Sequence, residues 1–499
     1  MRLSEAEEII RGLTAPQQDR LLRYQKHLST DKDPENRNFD ANMLEIALKY
    51  AKDPSKVQAV RSYLNEIKYT SSKYEYKQIQ QQLKRFTMED VPNFAHNPHF
   101  KKAKEDMKKE FSTFNLKPLR YDSKEDIVKN LPRKDTHAGF SYILTGKKLK
   151  GEYLEECFNE YWTEYAKAVR IGSFNRPMII GIRTQASGAF EGEYEMDETG
   201  SFKDKSRLVV MVDYIQILGE LVFAKPLQNR LSAVEWYAGG ANDKVLASRI
   251  YSLGSFKQNW CTLDYSKYDQ SIPAWLMHEA FDVIRSAFND NGFDEDLFRV
   301  VRNDLIHKVF IDGEGNLIES HKGLPSGSMF TQILGSICNR LMITTYFNSI
   351  GAMYYDYRMI IMGDDNIILT NFKFNFDFMA TYIFRNFGVE MNSDKVRSGR
   401  LFQNHPQFLS RMWTLDGVYR SPKVIITKML YPERFRDYKR NPDMSPLLIL
   451  DSYYQTFPVG FRLYFDEHRL VEDTRAQIKT VGIGKWMSGL QRYRALYID

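Results

Sequence analysis

Met359-Ile360-Ile361-Met362-Gly363-Asp364-Asp365-Asn366-Ile367-Ile368-Leu369 is the stretch on which the fold turns. Two short apolar runs flank a Gly-Asp-Asp tip, the pattern of a buried strand, a tight hairpin and a second buried strand. Gly363 permits the tight backbone, and two adjacent aspartates repel one another unless a cation or a proton intervenes. An oxygen-rich pair of that kind suits a hard divalent ion such as Mg²⁺. Taken alone, the tripeptide also reads as an ordinary exposed hairpin turn.

Upstream, Trp260-Cys261-Thr262-Leu263-Asp264 reads as another strand, continuing into Tyr265-Ser266-Lys267-Tyr268-Asp269-Gln270 and a helix starting near Ser271 with Pro273 in its first turn. Alternation sets Cys261, Leu263 and Tyr265 on one face and Thr262 and Asp264 on the other. If this strand neighbours the hairpin in one sheet, Asp264 leaves its end pointing toward Asp364. Three carboxylates around two Mg²⁺ ions would make a phosphoryl-transfer site. The competing reading makes Asp264 a turn or N-cap residue.

Between these two segments lies Gly323-Leu324-Pro325-Ser326-Gly327-Ser328, a Gly/Pro/Ser turn leading into a helix expected from about Ser328 to Phe347. Phe330, Ile333, Leu334, Ile337 and Leu341 form its apolar stripe, while Ser328, Thr331, Gln332, Gly335 and Asn339 line the other side. A small, polar face without Lys or Glu suits a groove for a ribose-phosphate strand better than a plain solvent face. Further upstream, Lys203, Lys205 and Arg207 alternate before the apolar run Leu208 to Val212, so in an extended strand the three cations project from one face. Such a comb can hold a triphosphate, joined by Arg183, although each cation singly also reads as a surface charge.

The whole chain frames these segments. Its 499 residues suggest about three domains or one multi-lobed body. Hydrophobic residues at 43% and charged residues at 27% exclude a wholly disordered, collagen-like or fibrous chain. Seventy Lys+Arg against 64 Asp+Glu leave +6, far from a histone-like coat, so any polyanion is met by a local concentration of cations. Cys157, Cys261 and Cys338 are dispersed, with neither a disulfide framework nor a zinc pattern. No long uncharged apolar run appears, and the chain reads as soluble and intracellular, without a membrane. Residues 1 to about 110 are polar and helix-rich; strands and helices alternate from 256 to 412; helical patterning returns from 413 to 499, where basic and aromatic residues interleave at Arg434-Phe435-Arg436-Asp437-Tyr438-Lys439-Arg440.

In this order the motifs Lys205-Ser206-Arg207, Asp264 to Gln270, Gly323 to Ser328 with Thr331 and Asn339, and Gly363-Asp364-Asp365 resemble those of viral RNA-dependent RNA polymerases, most closely those of small double-stranded RNA viruses of the partitivirus and picobirnavirus type. The resemblance is dense from about 180 to 412 and thin outside it. It implies an α+β fold, a closed right-hand polymerase with fingers, palm and thumb and an antiparallel palm sheet packed on helices. The implied division is 1–110 as an N-terminal helical extension bridging fingers and thumb, 111–255 as fingers, 256–412 as palm with a fingers insertion at about 295–322, and 413–499 as thumb.

The implied chemistry is template-directed nucleotidyl transfer from NTPs to an RNA 3′-hydroxyl, with Mg²⁺, or Mn²⁺ as a substitute. Asp264 and Asp364 are the implied principal metal ligands, with Asp365 nearby and less essential. Asp269, Asn339 and Ser326 are implied to read the ribose 2′-hydroxyl. Lys203, Lys205 and Arg207, with Arg183, grip the triphosphate, and Lys395 corresponds to a lysine that protonates pyrophosphate. Gly323, Ser328 and Thr331 face RNA, and Phe408-Leu409-Ser410-Arg411 looks like the strand supporting the growing 3′ end, which assigns Ser410 and Arg411 to RNA. Leu208 departs from the family, many relatives having proline there, which alters strand geometry without removing charge. Implied partners are template and product RNA, NTPs and a viral capsid protein, and the implied location is the host cytoplasm, inside the virion or viral core. Two rivals remain at this point, a reverse transcriptase and a non-catalytic RNA-binding protein with a polymerase-like body.

Overall fold

The computed structural model describes residues 1–32, 39–66, 74–131, 134–184, 206–255, 257–289, 292–409, 411–415, 417–432, 436, 438–439 and 444–497. Along the chain, β1 (Met178–Thr184) and β2 (Ser206–Met211) precede a long helix, Tyr214–Leu231. Then come β3 (Asn259–Thr262), β4 (Tyr265–Ser266), the hairpin of β5 (Lys308–Ile311) and β6 (Leu317–Ser320), and the hairpin of β7 (Tyr357–Met362) and β8 (Asp365–Thr370). The strands finish with β9 (Glu390–Met391), β10 (Arg397–Arg400), β11 (Gln407–Phe408), β12 (Arg411–Thr414) and β13 (Gly417–Tyr419). Helices fill most of the remainder.

Two four-stranded sheets organise the molecule, one ordered β2-β1-β5-β6 and the other β10-β3-β8-β7. All pairings in the second sheet are antiparallel. Its strands β7 and β8 are largely apolar on both faces because both faces are covered, while β10 at the edge is polar and mostly exposed. Met359, Ile361, Ile368 and Cys261 join the large core shared with helices Ala274–Ser286 and Thr331–Ser349. Ile360, Ile367, Leu369 and Trp260 join a second core built with the C-terminal helices. Alternation along each strand therefore divides one apolar run between two hydrophobic layers.

The first hundred residues run between distant parts of this body. On the first sheet, the Tyr24 hydroxyl accepts from Ile180 N at 2.8 Å and Gln82 Oε1 accepts from Leu208 N at 3.0 Å. Toward the C-terminal helices, Asp40 N donates to Leu430 O at 2.8 Å and Lys52 N to Tyr464 O at 2.9 Å.

Three expected boundaries are corrected. The strand at Trp260 ends at Thr262, leaving Asp264 beyond it. The helix expected near Ser271 is two: a single turn, Tyr268–Ser271, and then Ala274–Ser286. Pro273 is extended (ψ 153°) and serves as N-cap rather than sitting in the first turn, and the Ile272 carbonyl is taken by Gly323 N at 2.9 Å instead of by a helical donor. The helix expected from Ser328 starts at Thr331 and runs to Ser349. It is buried on nearly all sides, Ser336, Asn339 and Thr345 included, which accounts for its lack of Lys and Glu without an open groove along that face.

Candidate active site

The acids meet through sheet geometry. β3 lies antiparallel to β8, with Cys261 opposite Ile368, and the β7–β8 turn pairs Met362 with Asp365. Gly363 takes φ +66°, a left-handed conformation that side chains rarely adopt. Asp264 leaves the end of β3 on the same side of the sheet. Asn366, with 1% exposure, crosslinks the two segments: its Oδ1 accepts from Leu263 N at 3.0 Å and its Nδ2 donates to Asp364 O at 3.1 Å. Asn392, just after β9, grips Asp264 from the other side, backbone N to Asp264 O at 2.9 Å and Nδ2 to Asp264 Oδ2 at 3.0 Å.

The buried helix Thr331–Ser349 braces the turn. Ser336 Oγ accepts from Gly363 N at 2.8 Å, and Asn339 Nδ2 donates to the carbonyls of Gly363 and Asp364 at 3.0 and 3.1 Å. Asn339 Oδ1 accepts from the Tyr265 hydroxyl at 3.0 Å, so both ends of this amide are engaged within the protein. A Cβ at Gly335 would stand 3.4 Å from Gly363 Cα, the close approach that a small residue on this face allows.

The carboxylates keep solvent contact, yet the surrounding protein strips much of their hydration. Burial first, then the charges of Asp364 and Asp264, pushes the Asp365 carboxyl up to about 7, against the opposing pull of Arg207. Asp269 is likewise pushed up to about 7, by burial and then Asp364, again opposed by Arg207. Asp364 is raised chiefly by burial, with Asp264 adding to it and Arg207 and backbone amides opposing. Arg207, on β2 of the other sheet, thus faces the acids, and Arg183 stands directly across from it in the β1–β2 ladder. Paired arginines opposite each other on one ladder repel without an anion between or near them.

The loop leading into the bracing helix is anchored closely. Ser326 Oγ accepts from Val210 N at 2.9 Å, and a Cβ at Gly327 would fall 2.3 Å from Val210 O, so loop and β2 touch backbone to backbone. Gly323 has φ +72°. Ser328 Oγ donates to Glu220 at 2.8 Å, and Thr331 Oγ1 donates to the Pro325 carbonyl at 2.6 Å. Lys395 is exposed in the short turn Ser393–Lys395, three residues beyond Asn392. Arg411 pairs with Asp243 at 2.6 Å and stacks over Phe457 at 5.4 Å, largely covered. Lys203, Lys205 and Ser410 lie outside the described residues.

Sequence reasoning missed Asn366, Asn392 and Ser336. Asn366 carried a signal, a polar residue at an inward position of an otherwise apolar strand; Asn392 carried none. Among the described residues no three or more His, Cys, Asp or Glu side chains are gathered at metal-holding spacing. The donor set nonetheless fits a hard cation: Asp264 raises Asp364 and Asp365, Asp364 raises Asp365 and Asp269, and Arg207 opposes the rise at each of Asp269, Asp364 and Asp365. Among the described residues no helix is long and apolar enough to cross a membrane.

An all-antiparallel sheet presenting acids at one end, braced by a buried helix and faced by the arginines of a second sheet, defines the right-hand class of nucleic-acid polymerases. The chain belongs to the viral RNA-dependent RNA polymerase family, whose model matches residues 47–431. Its fold is that of the RNA-dependent RNA polymerase of a human picobirnavirus, with a TM-score of 0.64 at 16% identity over 96% of this chain and 92% of that one. The insertion-loop deletion mutant of that polymerase gives the same score over 96% of both chains. Among curated proteins, it is 27% identical over 175 residues to the RNA-directed RNA polymerase of Cryptosporidium parvum virus 1, covering 33% of this chain and 31% of that protein. It is 32% identical over 133 residues to the genome polyprotein of human parechovirus 2, covering 27% of this chain and 6% of the polyprotein. The chain thus matches about a third or less of the length of these curated relatives.

Proposed function

We propose that this chain is a working RNA-dependent RNA polymerase of a double-stranded RNA virus, joining an RNA 3′-hydroxyl to the α-phosphate of a template-selected NTP. In that step the 3′-hydroxyl gives its proton to water and its oxygen bonds to the α-phosphorus, the bond from the α-phosphorus to the oxygen bridging to the β-phosphate breaks, and pyrophosphate leaves with that oxygen. The observation that carries the reading is the meeting of Asp264, Asp364 and Asp365 at one sheet end under the field of Arg207. Asp264 and Asp364 would hold Mg²⁺, or Mn²⁺ in its place, with Asp365 less essential; a divalent pair supplies activation of the attacking hydroxyl and charge neutralisation on the leaving oxygens.

The chain's own residues then do the positioning. Asn366 and Asn392 fix Asp264 relative to Asp364. Arg207 and Arg183, with Lys203 and Lys205, neutralise the triphosphate, and Lys395 supplies a proton to the leaving pyrophosphate. Asp269 and Ser326 offer hydrogen bonds to a ribose hydroxyl; Asn339 joins them by exchanging its Tyr265 or hairpin bonds. Gly323, Ser328 and Thr331 shape the loop beside the RNA, and Ser410 and Arg411 support the 3′ end, Arg411 being held in place by Asp243. The fingers, palm and thumb divide at 111–255, 256–412 and 413–499, bridged by 1–110. Genome replication and transcription inside a viral core in the host cytoplasm, with a capsid partner, complete the reading.

Incubating the purified protein with a single-stranded RNA template, four NTPs and Mg²⁺ tests it. Template-length product that disappears on chelation supports the proposal. Preferential use of dNTPs would replace it with a reverse transcriptase, and RNA binding without synthesis would replace it with a non-catalytic RNA-binding protein.

A further inference from the structure

Outside the acidic cluster, an acid and a base are almost wholly withdrawn from solvent and share one neighbour. Glu220, on the helix Tyr214–Leu231, has 0% exposure, and Lys308, at the start of β5, has 2%. They do not pair with each other or, among the described residues, with any ion partner. Both reach the segment 323–329, one at each end.

At its start, Lys308 Nζ donates to the carbonyls of Lys322 and Gly323 at 2.7 and 2.8 Å and to those of Leu305 and Ile306 at 3.0 and 3.3 Å. An ammonium has three hydrogens, so four carbonyls around it saturate it and hold the end of helix Glu295–Ile306 against the loop. At the segment's other end, Glu220 Oε2 accepts from Ser328 Oγ at 2.8 Å and from Met329 N at 2.7 Å. The Met329 carbonyl is held in turn by Gln228 Nε2 at 3.2 Å, from the same helix as Glu220. Between these ends, Leu324 N donates to the Asp269 carbonyl at 2.6 Å, and Ser326 meets Val210.

A buried charge costs several kcal/mol to desolvate unless hydrogen bonds replace its water. Each group sends part of its hydrogen bonding to one end of the loop, Lys308 to the Lys322 and Gly323 carbonyls and Glu220 to Ser328 and Met329, and hydrogen bonds to a charged partner are about twice as strong as neutral ones. The segment carries Ser326 and sets the backbone beside Asp269, the two groups with capacity to meet a ribose.

We propose that Glu220 and Lys308 are positioning residues that clamp the two ends of loop 323–329 and thereby set the discrimination between NTP and dNTP. The nucleotide half of this inference rests on the polymerase reading; the clamp itself does not.

Amide hydrogen exchange on the full chain, without nucleotide, tests the clamp, and steady-state kinetics with NTP and dNTP test its consequence. Glu220→Gln and Lys308→Met should each raise exchange at 323–331 at least tenfold while leaving β7 and β8 protected, raise KM for NTP more than they lower kcat, and shrink NTP over dNTP preference about tenfold. Lys308→Arg, which keeps a charged donor, should restore part of the preference. Should Lys308→Met fail to fold, Glu220→Gln carries the test, because a neutral amide of the same shape still accepts from Ser328. Unchanged exchange at 323–331 overturns the clamp. Raised exchange with unchanged preference, or a loss of kcat alone, overturns the role in selection. A wild-type protein that incorporates no nucleotide overturns the polymerase reading, while the exchange measurement still decides the clamp.

Discussion

The Gly363-Asp364-Asp365 turn and the Gly323–Met329 loop are held in opposite ways. At the turn, solvent-touching charges are fixed by buried neutral groups: Ser336, Asn339 and Asn366 bond its backbone. At the loop, neutral backbone and hydroxyl groups are fixed by a buried acid and a buried base, Glu220 and Lys308. On the proposed function, the difference follows from the two roles. A turn that would hold metal keeps its charge uncompensated for the cation, so its supports are neutral. A loop of small residues that would contact the nucleotide has little side chain to pack, so its rigidity comes from strong bonds to its main chain.

The contrast is tested first at its most sensitive point. Asp364→Asn keeps the braced backbone but removes one charge, and incorporation should fall by about 10³-fold or more, roughly 4 kcal/mol of barrier, with an unchanged circular dichroism spectrum. Arg207→Ala removes the cation facing the acids and should lower kcat/KM for NTP about 10- to 100-fold, mostly through KM, as read by single-nucleotide extension. Asn366→Ala removes a neutral support, leaving Leu263 N unpaired and the Asp364 carbonyl with Asn339 as its remaining donor; chemical denaturation should show a loss of about 1–3 kcal/mol, and a neutral result would mean that the turn does not depend on its buried amides.

The smallest effect separates the two loop anchors by pH. Burial pushes the Glu220 carboxyl up to about 7 from 4.5, so its contribution to stability is complete below about pH 4.5 and is lost as pH rises through 7. Burial pushes the Lys308 ammonium down to about 7 from 10.5, so its contribution is complete above about pH 10.5 and is lost as pH falls through 7. Stability measured by denaturant between pH 5 and 10 should therefore lose its acid-side slope in Glu220→Gln and its alkaline-side slope in Lys308→Met, each by an amount of order 2 kcal/mol. Identical slopes in wild type and variants would remove both groups from the pH response.

The palm-like sheet was legible because its information is local and repeated. Apolar runs on either side of Gly363 read as two buried strands joined by a tight hairpin, and alternation along the Trp260 strand sets Asp264 toward that hairpin. The family resemblance then joined segments that spacing alone leaves apart. The supports were not legible, because they depend on contacts across the chain: Asn392 is 128 residues from Asp264, and Glu220 is 108 from Ser328. Read in sequence, Glu220 is an acid in a long apolar helix and Lys308 a lysine before a strand; only the fold brings them to one loop. The helix face of Gly335 and Asn339, read as a groove lining, proved to be the bracket under the acidic turn, since small polar residues serve close backbone packing as readily as a ligand.

The central claim is that acids from two separate segments, one just past β3 and one in the β7–β8 turn, share the same cations. Anomalous diffraction from crystals of the full chain soaked in Mn²⁺ measures this directly. A manganese peak within coordination distance of both Asp264 and Asp364 is the predicted result, and it should vanish in Asp364→Asn. Manganese bound to one of these carboxylates without the other, or bound only elsewhere on the molecule, would contradict it.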